Sequence, residues 1–437
     1  MRISWLASVA VSALVLSSPA SARDIVIHAG RLIDGVSKIP RTEVSILIRN
    51  DRILEVQAGY VTPPNWEVID LTAGTVLPGL IDTHDHITAG FHKGDPIRNA
   101  VTITPYDVTI ESVGYARATL LAGFTSVRDV GSETGVVVAL KKAVNSGAIP
   151  GPRIWTSGGA IGPTGGHGDA ANGLDPDLDH PHWKDNLVDS PESARRAVRT
   201  LHRQGADLIK IMPSGGVMSI GDDPKHQMMA DDEIQAVVDA AHALGMKVAA
   251  HAHGKLAIEK AAALGVDSIE HGSFADAESY KIMKAHGTYF VPTMLVGARV
   301  YDRAKTHPEQ FNPSTAEKAL MVAPVMVKNL HDAHAAGVKI AFGTDTFGIS
   351  AHGENAQEFA LMVKAGMTPS EAITAATTSA ADLIGDATNI GSIQAGRYAD
   401  IIAVAGDPLA DITTLEKVGF VMKGGTVYKA DGKVVAP

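Results

Sequence analysis

Six residues able to hold metal ions or move protons close apolar, strand-like runs: His84, His86, Lys210, His251, His271 and Asp345. His84 and His86 end Pro78-Gly79-Leu80-Ile81-Asp82-Thr83-His84-Asp85-His86. Side chains two apart on a strand share a face, so both imidazoles can grip one ion. The motif is weak alone, since His180-Pro181-His182 and His251-Ala252-His253 also occur. Lys210 stands in Leu208-Ile209-Lys210-Ile211-Met212. An ammonium there is costly to bury unless paired or modified. A desolvated neutral amine can add carbon dioxide, and the resulting carbamate offers two oxygens to bridge two metals. The plainer reading is a lysine paired with a nearby carboxylate. His251 ends Lys247–His251, His271 ends Ser268–His271, and Asp345 ends Lys339–Asp345. Each alone is more often structural than catalytic, but their shared place at strand ends is what a barrel active face requires.

The elements that must position them alternate. Apolar runs fall at Val76–Asp82, Phe124–Val130, Arg153–Ser157, Leu208–Met212, Lys247–His251, Ser268–His271, Tyr289–Thr293 and Lys339–Asp345, eight in all. Helical segments such as Asp231–Leu244 and Pro369–Leu383 lie among them. The pattern predicts an α/β fold, a (β/α)8 TIM barrel spanning 76–388. At the ends the period falls to two: Ile25–Ile27, Val44–Ile48 and Trp66–Ile69, then Ala399–Val404, Val418–Met422 and Thr426–Tyr428. Neither end is large enough for a core of its own, so 23–75 and 389–437 are expected to pair into one small β-sandwich domain.

Composition narrows the class. The 437 residues are 45% hydrophobic and 20% charged, too apolar for a disordered chain. With no cysteine there is no thiol nucleophile and no Cys-ligated metal, which leaves the 18 histidines as the abundant metal-ligating group. A net charge of −10 without a basic, aromatic-interleaved run argues against nucleic acid as partner. No Gly-x-Gly-x-x-Gly follows a strand and no phosphate loop occurs, so a dinucleotide fold is disfavoured. Residues 1–22 read as a signal peptide: Met1-Arg2, an apolar run from Ile3 to Leu16, and an Ala20-Ser21-Ala22 ending. The run is shorter than the roughly 20 apolar residues a membrane span needs. The expectation is an exported bacterial protein of the periplasm, with no membrane association after signal cleavage.

Further segments carry a resemblance. Gly123-Phe124-Thr125-Ser126-Val127-Arg128-Asp129-Val130-Gly131, Thr164-Gly165-Gly166-His167-Gly168, Ala250-His251-Ala252-His253-Gly254 and Gly366-Met367-Thr368-Pro369 resemble the metal-dependent amidohydrolase superfamily. The similarity is to its imidazolonepropionase-like or Xaa-Pro-dipeptidase-like branch, which includes ochratoxin-hydrolysing amidohydrolases. It extends over nearly the whole mature chain. The resemblance implies two divalent metal ions: His84, His86 and Asp345 on one, His251 and His271 on the other, and a carboxylated Lys210 as bridge. It also implies a homo-oligomer, octamers being known among such relatives.

The mechanism expected of that set is amide hydrolysis. Two cations sharing a water lower its pKa to give a bridging hydroxide, and one can polarise a carbonyl. Asp345 can take the water's proton and deliver it to the departing amine. Zinc suits the ligands, and manganese, cobalt or iron would fit them too. His253 shares the strand face of His251 and is a candidate for substrate binding or proton transfer. His167 can polarise the scissile carbonyl or cap its loop. A substrate carboxylate would need a cationic or hydrogen-bonding clamp, for which Arg128, His253, tyrosines or backbone amides are the candidates. Asn355 is either a helix N-cap or a substrate contact, and His180 and His182 read as a surface or lid segment. The predicted substrate is a dipeptide or N-acyl amino acid. A lactamase, an imidazolone hydrolase or a deaminase is the alternative within the superfamily, although such deaminases look mononuclear and lack the lysine. A non-catalytic binding barrel would predict lost ligands, and none is lost.

Overall fold

Alternating Val and Ile send one face of each terminal strand inward. The computed structural model describes residues 23–90, 92, 96–175, 177–178 and 182–435. The signal peptide expected at 1–22 lies outside the described residues. The chain opens with β1 (Asp24–Leu32), β2 (Arg41–Arg49), β3 (Arg52–Ala58) and β4 (Glu67–Pro78). Parallel strands follow: β5 (Leu80–Asp85), β6 (Phe124–Asp129), β7 (Arg153–Thr156), β8 (Leu208–Ile211), β9 (Lys247–Ala252), β10 (Ser268–His271) and β11 (Tyr289–Val291). It ends with β12 (Ile401–Ala405), β13 (Val418–Lys423), β14 (Thr426–Ala430) and β15 (Lys433–Val434).

The two ends do join. β12 pairs antiparallel with β4, giving one eight-stranded mixed sheet in the order β15-β14-β13-β12-β4-β1-β2-β3. Where two facing sheets were expected, the hydrogen bonding is continuous, yet both halves of the sheet contribute to one core. Ile401 and Ala403 of β12 and Phe420 of β13 bury with Ile25 and Ile27 of β1 and Ile46 of β2. On the opposite face of β12, Ile402 and Val404 join the main core with Leu77 and Leu80.

The run expected at Val76–Asp82 divides at Gly79. Val76–Pro78 finish β4, and β5 continues to Asp85. Pro78 has no N–H for a ladder, and a Cβ on Gly79 would lie 2.1 Å from Thr125 Oγ1. The chain changes sheets where only glycine fits.

The parallel strands form a β5-β6-β7 sheet and a β8-β9-β10-β11 sheet. At their junction Asp207 N donates to Thr156 O of β7, and beyond β7 Ile161 N donates to Lys210 O while its carbonyl accepts from Met212 N. The eighth expected run forms no assigned strand. Within it Ile340 bridges Phe290 and Phe342 O accepts from Thr83 N, and just past it Thr346 bridges Asp85. Lys339–Asp345 thus lies between β11 and β5 as hydrogen-bonded extended chain.

The helix at Asp231 stops at His242. The segment expected as one helix from Pro369 splits into Pro369–Ala375 and Thr378–Ile384, because Thr377 leaves helical space (φ −130°, ψ −94°) and its hydroxyl bonds back to Ile373 O. Two helices matter for the site, Met294–Thr306 and Pro313–Ala335. No helix among the described residues is long and apolar enough to cross a membrane.

Candidate metal centre

The histidines at the strand ends are oriented by the partners of their outer ring nitrogens. A carbonyl or carboxylate can only accept, so a ring nitrogen bonded to one carries the proton and the other nitrogen is left as a lone pair. His84 donates from Nδ1 to Glu270 Oε2 at 2.7 Å, and His86 from Nδ1 to Gly131 O at 2.6 Å. Both turn Nε2 inward, and the two Nε2 atoms converge on Asp345 Oδ1 at 3.5 and 3.1 Å. His251 donates from Nε2 to Gly215 O at 3.2 Å and leaves Nδ1. His271 and His253 pair Nδ1 with hydroxyls, Thr293 Oγ1 at 2.7 Å and Ser273 Oγ at 2.8 Å. Outer-nitrogen bonds of this kind are how proteins orient metal-binding imidazoles.

Backbone strain gathers at the same place. His271, Thr293 and Asp345 have φ of 69°, 48° and 56°, the left-handed region, on three neighbouring strand ends. Such residues cost on the order of 1–3 kcal/mol each and persist where the surroundings over-determine them. In β10 the alternation puts Ser268 and Glu270 on one face, and the turn of the chain at His271 brings its ring to the site as well.

Two groups have ligand atoms within 4.8 Å of one another: His251, His253 and His271, and His84, His271 and Asp345. They share His271. Lys210 lines the same cavity, of about 310 Å³, and is 1% exposed. Burial pushes the Lys210 ammonium down to about 8, although Glu270 and Asp345 favour its charge. Burial, then the Lys210 charge, pushes His84 down to about 4. Burial and the neighbouring histidines hold His251 and His271 well below the ordinary imidazole range. For His86 burial is outweighed by the Asp345 carboxylate, and its pKa rises. Burial opposes ionisation of Asp345, but His84, His86 and Lys210 more than offset it and the pKa falls. For His84, His251 and His271, a neutral imidazole near an ionised Asp345 is the protonation state that metal ligation needs. The residues fit the ions expected of them.

The remaining predicted residues divide. His253 and His167 line the cavity with the metal-binding candidates. His253 is stacked on His271, ring centroids 4.9 Å apart. Arg128 does not reach the cavity and is no substrate clamp. It is 2% exposed, and its guanidinium donates to Thr83 O, Ser268 Oγ (3.0 Å) and Glu270 Oε1 (2.8 Å). Asn355 is likewise neither a substrate contact nor the cap of its helix. It is fully buried, Nδ2 donates to Asp82 Oδ2 at 2.8 Å, and Ala356 occupies the cap position. His182 is exposed and pairs with Asp185, while His180 lies outside the described residues.

Sequence reasoning missed Glu270. It is fully buried between Arg128 and His84, and although burial opposes this, the Arg128 charge and the His84 hydrogen bond pull its carboxyl far below the usual range. It also missed the apolar wall of the cavity. Val296 and Val300 come from the 294–306 helix, Val322 and Met326 from the 313–335 helix, and Phe347 from the segment after Asp345.

Comparison with known proteins places these features in a lineage. The amidohydrolase family profile matches residues 75–433. Ochratoxinase from Aspergillus niger is 33% identical over 443 aligned positions, covering 96% of this chain and 89% of that protein. Imidazolonepropionase from Fusobacterium nucleatum is 24% identical over 85% of this chain and 88% of its own. Among solved structures, a Xaa-Pro dipeptidase with methionine in its active site superposes with a TM-score of 0.89 at 39% identity, covering 93% of this chain and all of that one. A prolidase complexed with N-methylphosphonate-L-proline gives 0.85 at 34% identity, with 93% and 100% covered. A match this long, together with a cavity of buried histidines at strand ends, makes the chain a member of the amidohydrolase family and a hydrolase of carbon–nitrogen bonds.

Proposed function

We propose that this chain is a dinuclear metal-dependent amidohydrolase that cleaves the amide of a dipeptide or N-acyl amino acid and releases the C-terminal amino acid. The observation that carries the reading is the convergence of His84, His86, Lys210, His251, His271 and Asp345 on one cavity. We read the two parallel sheets and the Lys339–Asp345 segment as one eight-stranded barrel whose C-terminal face carries this site.

His84, His86 and Asp345 would hold one ion, His251 and His271 the other, and a carbamate on Lys210 would bridge them. Nitrogen and oxygen ligands without sulfur suit zinc. When bound, two such ions activate a shared water near neutral pH and polarise an amide carbonyl. Asp345 then serves as the group that takes a proton at its carboxylate and returns it to the departing amine. His253 stands beside it as a second proton-transfer or substrate-binding group. The Val296, Val322, Met326 and Phe347 wall orients an apolar or aromatic side chain and excludes water from the bond being broken. Relatives named for ochratoxin and Xaa-Pro hydrolysis support an amide of an amino acid as the substrate class.

Residues 1–22 we read as a removable export signal, with the mature chain in the periplasm as a homo-oligomer, octamers included. The test is elemental analysis of the purified protein with a panel of N-acetyl-L-phenylalanine, N-acetyl-L-methionine, Ala-Pro and Ala-Phe. About two metal ions per chain and hydrolysis of at least one panel member are expected. One ion or none, or an inert panel with a full metal complement, refutes the proposal.

A further inference from the structure

His167 enters the cavity from a glycine-rich loop and stacks on His251, with ring centroids 4.2 Å apart. Its Nδ1 lies 2.8 Å from Ser219 Oγ. A hydroxyl has one proton to give. Ser219 Oγ also lies 2.6 Å from Asp222 Oδ1, 2.7 Å from Asp222 Oδ2 and 3.3 Å from Gly216 O, and each of these can only accept. The Ser219 proton therefore goes to Asp222, and the bond between Ser219 and His167 must be donated by the imidazole.

We infer that Ser219 and Asp222 are positioning residues that hold His167 in its Nδ1–H tautomer, present the Nε2 lone pair to the cavity, and are locked to the cavity wall by Lys318. Lys318 is 8% exposed. Its Nζ lies 3.0 Å from Asp222 Oδ1, 2.6 Å from Ser219 O and 3.3 Å from Asp222 O. Asp222 accepts from Lys318, Ser219 and the Gly216 backbone alike. Lys318 belongs to the 313–335 helix, and its neighbours Ala319 and Val322 line the cavity. The loop is built for this arrangement. Gly216 N donates to Asp222 Oδ2 at 3.1 Å, and a Cβ on Gly216 would sit 2.1 Å from His167 Nδ1.

The consequence reverses an expectation. Polarising a scissile carbonyl needs an N–H at Nε2, whereas a neutral His167 held by Ser219 offers a lone pair there. It is an acceptor there, for an O–H or N–H of the bound molecule or of water. The tautomer assignment is independent of the proposed substrate; the effect on turnover rests on the hydrolytic reading above.

The test is imidazole nitrogen NMR of the zinc-loaded protein with isotopically labelled histidine, the His167 signal being identified by its loss in His167→Gln. An Nδ1–H pattern at neutral pH is expected, and an Nε2–H pattern overturns the proposal. Asp222→Asn is the second arm. An amide can donate to Ser219, which frees the hydroxyl to donate to His167 and drives the tautomer to Nε2–H. With zinc content unchanged, kcat on the fastest panel substrate should fall about 100-fold. KM should stay within about threefold. A flipped tautomer with wild-type kcat overturns the functional half of the inference. Ser219→Thr, which keeps the hydroxyl, should retain turnover that Ser219→Ala loses; equal rates in the two overturn the positioning role even if Asp222→Asn fails to fold. A wild-type Nδ1–H signal with an inert panel refutes the proposed function and leaves the tautomer assignment standing.

Discussion

Arg128→Met separates a structural arginine from a substrate clamp. Arg128 and Glu270 are 2% and 0% exposed, joined at 2.8 Å, and Glu270 passes the contact on to His84 Nδ1 at 2.7 Å. Methionine fills much of the arginine's volume but leaves the Glu270 carboxylate with Ser268 and a neutral imidazole for partners. Breaking a buried pair from one side costs about 3–5 kcal/mol, because the remaining charge is uncompensated. The lost bond from Arg128 to Ser268 and the orphaned Thr83 carbonyl act in the same direction. We therefore expect Arg128→Met to lose about 3–5 kcal/mol in urea unfolding monitored by circular dichroism. Arg128→Met with Glu270→Leu should recover at least half of that, since replacing both charges removes the stranded carboxylate. Metal content should fall in the single variant, because Glu270 no longer holds the His84 ring in place. A carboxylate clamp predicts the opposite pattern, a raised KM with wild-type stability. Loss of under about 1 kcal/mol in the single variant would refute the buried-pair argument.

Four further outcomes follow from the same geometry. Lys210→Ala should abolish both metal retention and hydrolysis, read by elemental analysis and the substrate panel; unchanged turnover would exclude a bridging role for the lysine. Gly343→Ala places a Cβ 2.4 Å from Val291 Cγ1 and 2.8 Å from His84 Cβ, so it should weaken metal affinity about 10–100-fold, measured by competition with a chelator. Val322→Trp fills the apolar wall and should raise KM for N-acetyl-L-phenylalanine far more than for a substrate with a small side chain. Glu358 accepts from Met294 N and Leu295 N at the start of the wall helix, and burial pushes its pKa up to about 8. The folded chain then keeps a proton that the unfolded chain has lost. This contribution is full below the unfolded value and is lost as pH rises toward 8, by at most about 1.4 kcal/mol per pH unit. Glu358→Gln should flatten that limb of the stability profile, measured by denaturant midpoints from pH 5 to pH 9.

The parallel strands and their metal-binding candidates were legible because both follow local rules. An apolar run names a buried strand, and its last residue names the face. Arg128 defeated that logic. It was one of several candidate carboxylate clamps, but its partner, Glu270, lies 142 residues away, and no local pattern joins them. One signal was present: Ser268 and Glu270 alternate on β10, so a carboxylate was due on the interior face, where it needs a cation. Asn355 failed for the same reason, since its partner Asp82 is 273 residues away. The cavity wall was invisible because Val296, Val322 and Met326 sit on helices where apolar residues ordinarily mean core. The eighth run, Lys339–Asp345, was expected as a strand from its apolar residues, but among the described residues it makes only isolated contacts such as Phe290 with Ile340.

The placement of protons divides the histidines of the cavity into two kinds. His84, His86 and His251 give their outer protons to a carboxylate or a carbonyl, and His167 gives its own to a serine already committed to Asp222. None of these four can exchange tautomers without breaking a bond, which suits groups that must present one fixed lone pair. His253 and His271 instead face hydroxyls, Ser273 and Thr293, that can donate or accept. The strained backbone of His271 and Thr293 holds that pair in place, and His271 is common to both ligand groups. His253 has no such constraint. If the ring gains a proton on one nitrogen and releases one from the other, Ser273 can rotate its hydroxyl to follow. Of the cavity histidines outside the proposed ligand set, His253 is the one whose Nδ1 partner, Ser273, can either donate or accept.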